Sequence, residues 1–188
     1  MGEVASLSSI RSARFLAAST CLRILLTPVI MAMLMEDADR TLTALLFAVA
    51  AATDWIDGKL ARRWGVTTKL GSFLDTTADK LLVTGVLIAL VAVERASPWV
   101  AIIIIGRELI VLGLRGVIAA EGTVMQPSLL GRLKTSIQFL AILLAILRPG
   151  DEIGGLYIDE WVMLAAAAIT VASAVDYFSR FSDSLSEQ

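Results

Sequence analysis

Four aspartates, Asp54, Asp57, Asp75 and Asp79, fall within the 26-residue stretch DWIDGKLARRWGVTTKLGSFLDTTAD. Apolar runs flank it, ALLFAVAAAT before and LLVTGVLIALVAV after. Ionisable groups inside or against an apolar span are costly and mark function. Four crowded carboxylates also repel one another unless a cation holds them. On a helix, residues three and four apart share a face. Asp54, Asp57, Gly58 and Ala61 have that spacing at the end of one apolar run, and Gly71, Asp75 and Asp79 have it at the start of the next. The turn between them contains Gly65, so two antiparallel helix ends would bring the four carboxylates together. Oxygen-only ligands suit hard cations, Mg2+ above all, or Mn2+ and Ca2+. Four carboxylates can clamp two such ions, an arrangement that stabilises attacking and leaving oxygens in phosphoryl chemistry. Gly58 and Gly71, without side chains, would let a ligand approach the backbone closely. The bland alternative is a pair of solvated helix ends whose aspartates pair with Lys59, Arg62, Lys69 and Lys80. Four carboxylates on two matching faces favour the cation site.

The elements that must position these residues are apolar helices. The chain has 188 residues, 57% of them hydrophobic and 18% charged, with a mean hydropathy of +0.79. That exceeds the apolar share of a soluble domain and points to a membrane. There is no histidine, which excludes a His-based triad, a His metal site and a His general base. Acid-base and metal chemistry is left to carboxylates. The single Cys21 cannot form an internal disulfide. No basic tail points to nucleic acid, and the net charge of −2 is uninformative.

A span needs roughly 20 mainly apolar residues. Six stretches qualify, about 15–35, 41–63, 69–93, 98–120, 129–147 and 157–179, joined by EDADR, ERASP, EGTVMQPS and RPGDEIGGLYIDE. The expected fold is therefore an all-α integral membrane protein of six transmembrane helices, in one domain over 15–181. A short N-terminal interfacial segment, 1–14, precedes it, and a short tail, 182–188, follows. Arg11 and Arg14, then Arg62, Arg63 and Lys69, then Arg132, Lys134 and Arg180 fall on one side of such a topology. The positive-inside rule places that side, with both termini and the aspartates, in the cytoplasm.

The spacing D-x2-D-G-x2-A-R-x8-G-x3-D-x3-D is similar, without gap or substitution, to the signature of the CDP-alcohol phosphatidyltransferases. Asp54, Asp57, Gly58, Ala61, Arg62, Gly71, Asp75 and Asp79 fill its eight fixed positions. The resemblance implies the six-helix membrane fold of that family, usually a homodimer, with its site open to the cytoplasm. It implies transfer of a phosphatidyl group from a CDP-linked lipid to an alcohol, releasing CMP. It also implies two Mg2+ ions, or Mn2+, held by Asp54, Asp57, Asp75 and Asp79, with Asp79 as the base that deprotonates the acceptor hydroxyl. Asp54, Gly58, Ala61, Arg62, Gly71 and Asp75 would then meet CDP-diacylglycerol. Lys80 points about 100° away from Asp79 on a helix and is expected to be a structural ion-pair partner.

The acceptor is read from later residues. GRELIVLGLRG carries Arg107, Glu108 and Arg115, and GRLKTSIQF carries Arg132, Lys134, Thr135 and Gln138. Arginines inside an apolar span need an anionic partner, and a phosphate taking paired hydrogen bonds is one candidate. The other is an internal ion pair of Glu108 with Arg107 or Arg115. Both segments resemble those of bacterial phosphatidylglycerophosphate synthases, a resemblance that runs from about Thr20 to Gln138. It implies glycerol 3-phosphate as acceptor, its phosphate bound by Arg107, Arg115 and Lys134, in an enzyme of the cell (inner) membrane. The family often has Pro-Asn ahead of Thr-x-x-Arg in the first span. Here Thr20 and Arg23 are kept, while Leu16 and Ala17 stand in place of Pro-Asn. Two roles are open to Arg23, the acceptor pocket or snorkelling to the interface.

Two other readings compete. A cardiolipin synthase or an inositol-phosphate transferase would share the aspartates and differ in the pocket. A carboxylate-lined cation transporter would place polar groups at mid-depth along several spans, whereas VLIALV, AIIII and FLAILLA are apolar.

Overall fold

Among the described residues the apolar runs form six helices. The computed structural model describes residues 2–64, 69–120, 129–150 and 152–186, with side chains at 18–53, 71, 73–119, 130–131, 133–150 and 152–179. The helices are α1 Gly2–Met35, α2 Arg40–Trp64, α3 Lys69–Ala92, α4 Pro98–Ala120, α5 Leu129–Leu147 and α6 Ile158–Ser186. Among the described residues the one β feature is an isolated bridge between Ile153 and Leu156. All six expected stretches are helical, with bounds that agree to about one residue except at the two chain ends. Residues 2–14 form the first turns of α1 rather than a separate element, and α6 continues to Ser186 through most of the expected tail. The turn with Gly65 and the loop EGTVMQPS lie outside the described residues.

The caps show why the helices stop where they do. At the end of α1, Asp37 takes a positive φ of 49°. The Ala38 amide donates to the Met33 carbonyl at 2.9 Å and the Asp37 amide to Leu34 at 3.3 Å, the paired reverse bonds that close a helix C-terminus. Asp39 then caps α2, its Oδ1 accepting from the Leu42 amide at 2.8 Å. α3 ends as α1 does. Glu94 has φ 58°, and the Arg95 and Glu94 amides donate to Leu90 and Val91 at 2.8 and 3.1 Å. Ser97 and Pro98 open α4, proline standing where its missing N–H costs nothing. At the start of α6 the Tyr157 amide donates to Glu160 Oε2 at 2.8 Å.

The packing forms two compact units, 1–89 and 90–188. In the first, α1 lies along α2. Its buried stripe is Thr20, Arg23, Thr27, Ile30 and Leu34, spaced by three and four as an inward face requires. Pro28 sits inside α1 and removes one amide donor from its ladder. In the same turn Thr27 Oγ1 donates to the Arg23 carbonyl at 2.9 Å. α3 approaches α1 at Gly85, where a methyl group would stand 2.8 Å from Thr27 Cγ2 and 2.9 Å from the Met31 sulfur. Both separations are shorter than a Cβ contact allows, so a side chain at this position would require Thr27 and Met31 to shift.

In the second unit α6 packs against both α5 and α4. Ile104, Val111, Ile142, Ile146, Met163 and Ala166 are buried in it. Arg95, also buried, donates from Nη1 to the Ile146 carbonyl at 3.0 Å. It thereby satisfies an end carbonyl of α5 that has no partner within its own helix. Arg148 lies 4.1 Å from the Tyr157 ring centroid and 3.6 Å from Glu160, tying the end of α5 to the start of α6.

Among the described residues, Ala18–Met35 and Ile158–Ser179 are long and apolar enough to cross a membrane, with mean hydropathies of 1.8 and 1.6. α3 and α4, at 24 and 23 residues, exceed the length needed to cross a hydrocarbon core about 30 Å thick. Charged residues interrupt them: Asp75, Asp79 and Lys80 in α3, and Arg107, Glu108 and Arg115 in α4. Leu25, Leu45, Ile88, Ile102 and Val175 point outward and are exposed, an apolar exterior suited to lipid. The described residues thus form an all-helical fold with two helices long and apolar enough to cross a membrane.

Candidate functional site

The candidate site residues fall into a carboxylate set in the first unit and a cationic set in the second. Gly71, Asp75 and Asp79 stand one above another on α3, in line with Leu82 and Val86. Gly71 is exposed, the two aspartates are intermediate, and Leu82 and Val86 are fully buried. The aspartates therefore stand where this face passes from open to closed. Asp75 is 37% exposed by side chain and Asp79 16%. Asp79 Oδ2 accepts from Lys80 Nζ at 3.0 Å, so Lys80 is an ion-pair partner, but of Asp79 itself, the residue from which its helix position is expected to turn it away.

Asp75 has a partner the sequence did not reveal. Arg23 of α1, fully buried, donates from Nη2 to Asp75 Oδ1 at 3.0 Å. The residue reaches inward to a carboxylate and does not snorkel.

Asp54, Asp57, Gly58, Ala61 and Arg62 lie in the last turns of α2; their side chains are outside the described residues. Among the described residues no three candidate ligands converge. The donor set nonetheless fits a divalent cation. Asp75 and Asp79 supply hard oxygen donors from one helix face, the donor type Mg2+ and Mn2+ prefer.

In the second unit three helices contribute to a polar seam. Lys134 of α5 pairs with Glu108 Oε1 of α4, with side chains 2% and 5% exposed. Arg107 Nη1 stands 3.6 Å from the same Glu108 oxygen, and its Nη2 donates to Ser173 Oγ of α6 at 2.7 Å. Gln138 Nε2 donates to Thr170 Oγ1 at 3.0 Å. Arg115, two turns further along α4, is exposed and lies over the Tyr177 ring, 5.8 Å from its centroid. Thr135 turns back to its own helix, donating to the Gly131 carbonyl at 3.2 Å.

The internal ion pair that stood as the alternative for Glu108 is present with Arg107 at 3.6 Å, and Lys134 joins it. Arg107 and Lys134 are thus brought together around one carboxylate, while Arg115 stands apart on Tyr177. α6 supplies Thr170, Ser173 and Tyr177, which sequence reasoning missed. Their signal was the spacing of three and four residues, which puts the two hydroxyls and the ring on one face.

Comparison with known proteins places this geometry. The sequence pattern of the CDP-alcohol phosphatidyltransferases matches residues 17–176, across both units. The chain is similar to the "CDP-diacylglycerol--glycerol-3-phosphate 3-phosphatidyltransferase" of Bacillus subtilis (strain 168), 42% identical over 141 residues, 73% of this chain and 72% of that protein. The protein of the same name from Sodalis glossinidius (strain morsitans) is 41% identical over 143 residues, 73% of this chain and 74% of its own length. A "Probable phosphatidylglycerophosphate synthase" of Mycobacterium tuberculosis (strain CDC 1551 / Oshkosh) is 38% identical over 167 residues, 86% of this chain and 78% of that protein. With the aspartate signature complete and the match running through most of its length, the chain belongs to the CDP-alcohol phosphatidyltransferase family.

Proposed function

We propose that the protein transfers the phosphatidyl group of CDP-diacylglycerol to glycerol 3-phosphate, giving phosphatidylglycerol phosphate and CMP. The observation that carries this reading is the 38–42% identity to relatives named for that reaction or its product. The eight-residue signature supports the donor, and the cationic seam on α4 and α5 supports a phosphate-bearing acceptor. In this reading all six helices cross the cell (inner) membrane. Both termini and the aspartates face the cytoplasm, and the chain acts as a homodimer.

Asp54, Asp57, Asp75 and Asp79 would hold two divalent ions, Mg2+ or Mn2+. When bound, such ions neutralise the diphosphate and the charge that builds on the departing CMP oxygen. Asp79 takes the proton of the acceptor hydroxyl, whose oxygen attacks the phosphatidyl phosphorus as the bond from that phosphorus to the CMP oxygen breaks. With no histidine in the chain, a carboxylate is the base at hand. Gly58, Ala61 and Gly71 leave room for the cytidine, and Arg62 meets the nucleotide. Arg107, Arg115 and Lys134 bind the acceptor phosphate. Lys134 can serve while paired to Glu108, because an ammonium carries three donors.

An acceptor panel tests this. Purified protein, CDP-diacylglycerol and Mg2+ should release CMP with glycerol 3-phosphate and not with inositol phosphate, phosphatidylglycerol, serine or choline. Release with another acceptor alone would replace this reading.

A further inference from the structure

We infer that Arg23 is a positioning residue for the cation site, holding Asp75 in the orientation in which its other oxygen, Oδ2, binds the ion. The inference rests on the metal role proposed above for Asp75. Arg23 comes from a helix outside the aspartate motif, yet it reaches one of the motif's carboxylates across 52 residues of sequence.

Three observations carry it. Arg23 is fully buried, and a buried guanidinium needs an anionic partner to offset its lost hydration. It has one in Asp75 Oδ1, at 3.0 Å from Nη2. That partner is itself 37% exposed, so the arginine grips the carboxylate from the inside and leaves its open side toward solvent. A carboxylate held through one oxygen by a rigid planar donor loses rotamer freedom and presents the other oxygen in a set direction. Carboxylates that ligate metals are commonly oriented in this way by a second hydrogen-bonding group.

The third observation is how Arg23 is brought within reach. One and two turns beyond it, Thr27 and Met31 lie against Gly85 of α3, where a methyl group would stand 2.8 and 2.9 Å from them. Gly85 and Asp75 share α3, and Arg23 and Thr27 share α1. The side-chain contact at Gly85 and the Arg23–Asp75 pair therefore join the same two helices, and crowding at one bears on the other. Thr27 also binds the Arg23 carbonyl, joining the two contacts in one turn.

The test is Mn2+ binding to the purified protein in detergent, read by electron paramagnetic resonance without substrate, alongside thermal stability. Arg23→Met should weaken Mn2+ binding by about 10–100-fold, the usual loss when a ligand's orienting partner is removed. Arg23→Lys, which keeps charge but not the planar fork, should fall between it and the parent. Gly85→Ala leaves every polar group in place and should weaken binding by pushing the helices apart. Adding Thr27→Ser and Met31→Ala to it should restore affinity by removing the colliding atoms. If Arg23→Met does not fold, the lysine variant and the Gly85 series decide the matter. Parent-like Mn2+ affinity in these variants, even with lowered thermal stability, overturns the positioning role and leaves the metal reading intact. No Mn2+ binding by the parent protein overturns both.

Discussion

Lys134 of α5 and Glu108 of α4 form an ion pair from which water is excluded, with side chains 2% and 5% exposed. Removing one partner of such a pair typically costs about 3–5 kcal/mol, and here Arg107, 3.6 Å from the same Glu108 oxygen, offsets part of that. Lys134→Met should therefore lower the melting temperature sharply. The double variant Lys134→Met with Glu108→Gln should recover much of that loss. If Lys134 also binds the acceptor, the recovered double variant will still show a raised KM for glycerol 3-phosphate. A normal KM would confine Lys134 to the fold.

Arg115 offers the cleaner test of acceptor binding, because it is exposed and stacked only loosely on Tyr177. Arg115→Gln should leave stability within about 0.5 kcal/mol, as surface changes usually do. Its KM for glycerol 3-phosphate should rise more than its KM for CDP-diacylglycerol, the pattern of a lost acceptor contact. Equal effects on both substrates would move Arg115 out of the acceptor pocket.

Asp75→Asn and Asp79→Asn should each abolish CMP release while the protein still elutes as a folded species on size exclusion. Chelation of divalent ions should abolish turnover in the parent protein, and added Mg2+ should restore it. Parent-like turnover in either variant would remove that aspartate from the site.

Arg95 makes a prediction of the opposite kind. Its bond to the Ile146 carbonyl is buried, and an unsatisfied buried carbonyl costs about 1–3 kcal/mol. Arg95→Met should lower thermal stability by that order with no change in either KM. A selective change in KM would show that this end of the helices communicates with substrate.

The helix bounds were legible because local chemistry sets them. EDADR and ERASP stop one apolar run and start the next, and the caps at Asp37, Asp39, Glu94 and Ser97 fall within them. The spacing of Asp75 and Asp79 was equally legible, since four residues make one helical face whatever surrounds it. What could not be read was which side chains meet across helices. Arg23 pairs with Asp75 over 52 residues, and the rotation of α1 against α3 decides that contact. Lys134 reaches Glu108 for the same reason, where Arg107 and Arg115 were the neighbours visible in sequence. Thr170 and Ser173 escaped notice because hydroxyl residues are ordinary at contacts between membrane helices, and no charge drew attention to them.

The Arg23–Asp75 pair has a consequence for synthesis. Arg23 leaves the ribosome 52 residues ahead of its partner, an interval of roughly 3–10 s at ordinary elongation rates. In the proposed membrane topology α1 enters the bilayer with this arginine before α3 exists, and a charge at membrane depth is costly. In that topology the Arg23–Asp75 pair closes only after α3 has followed α1 into the membrane.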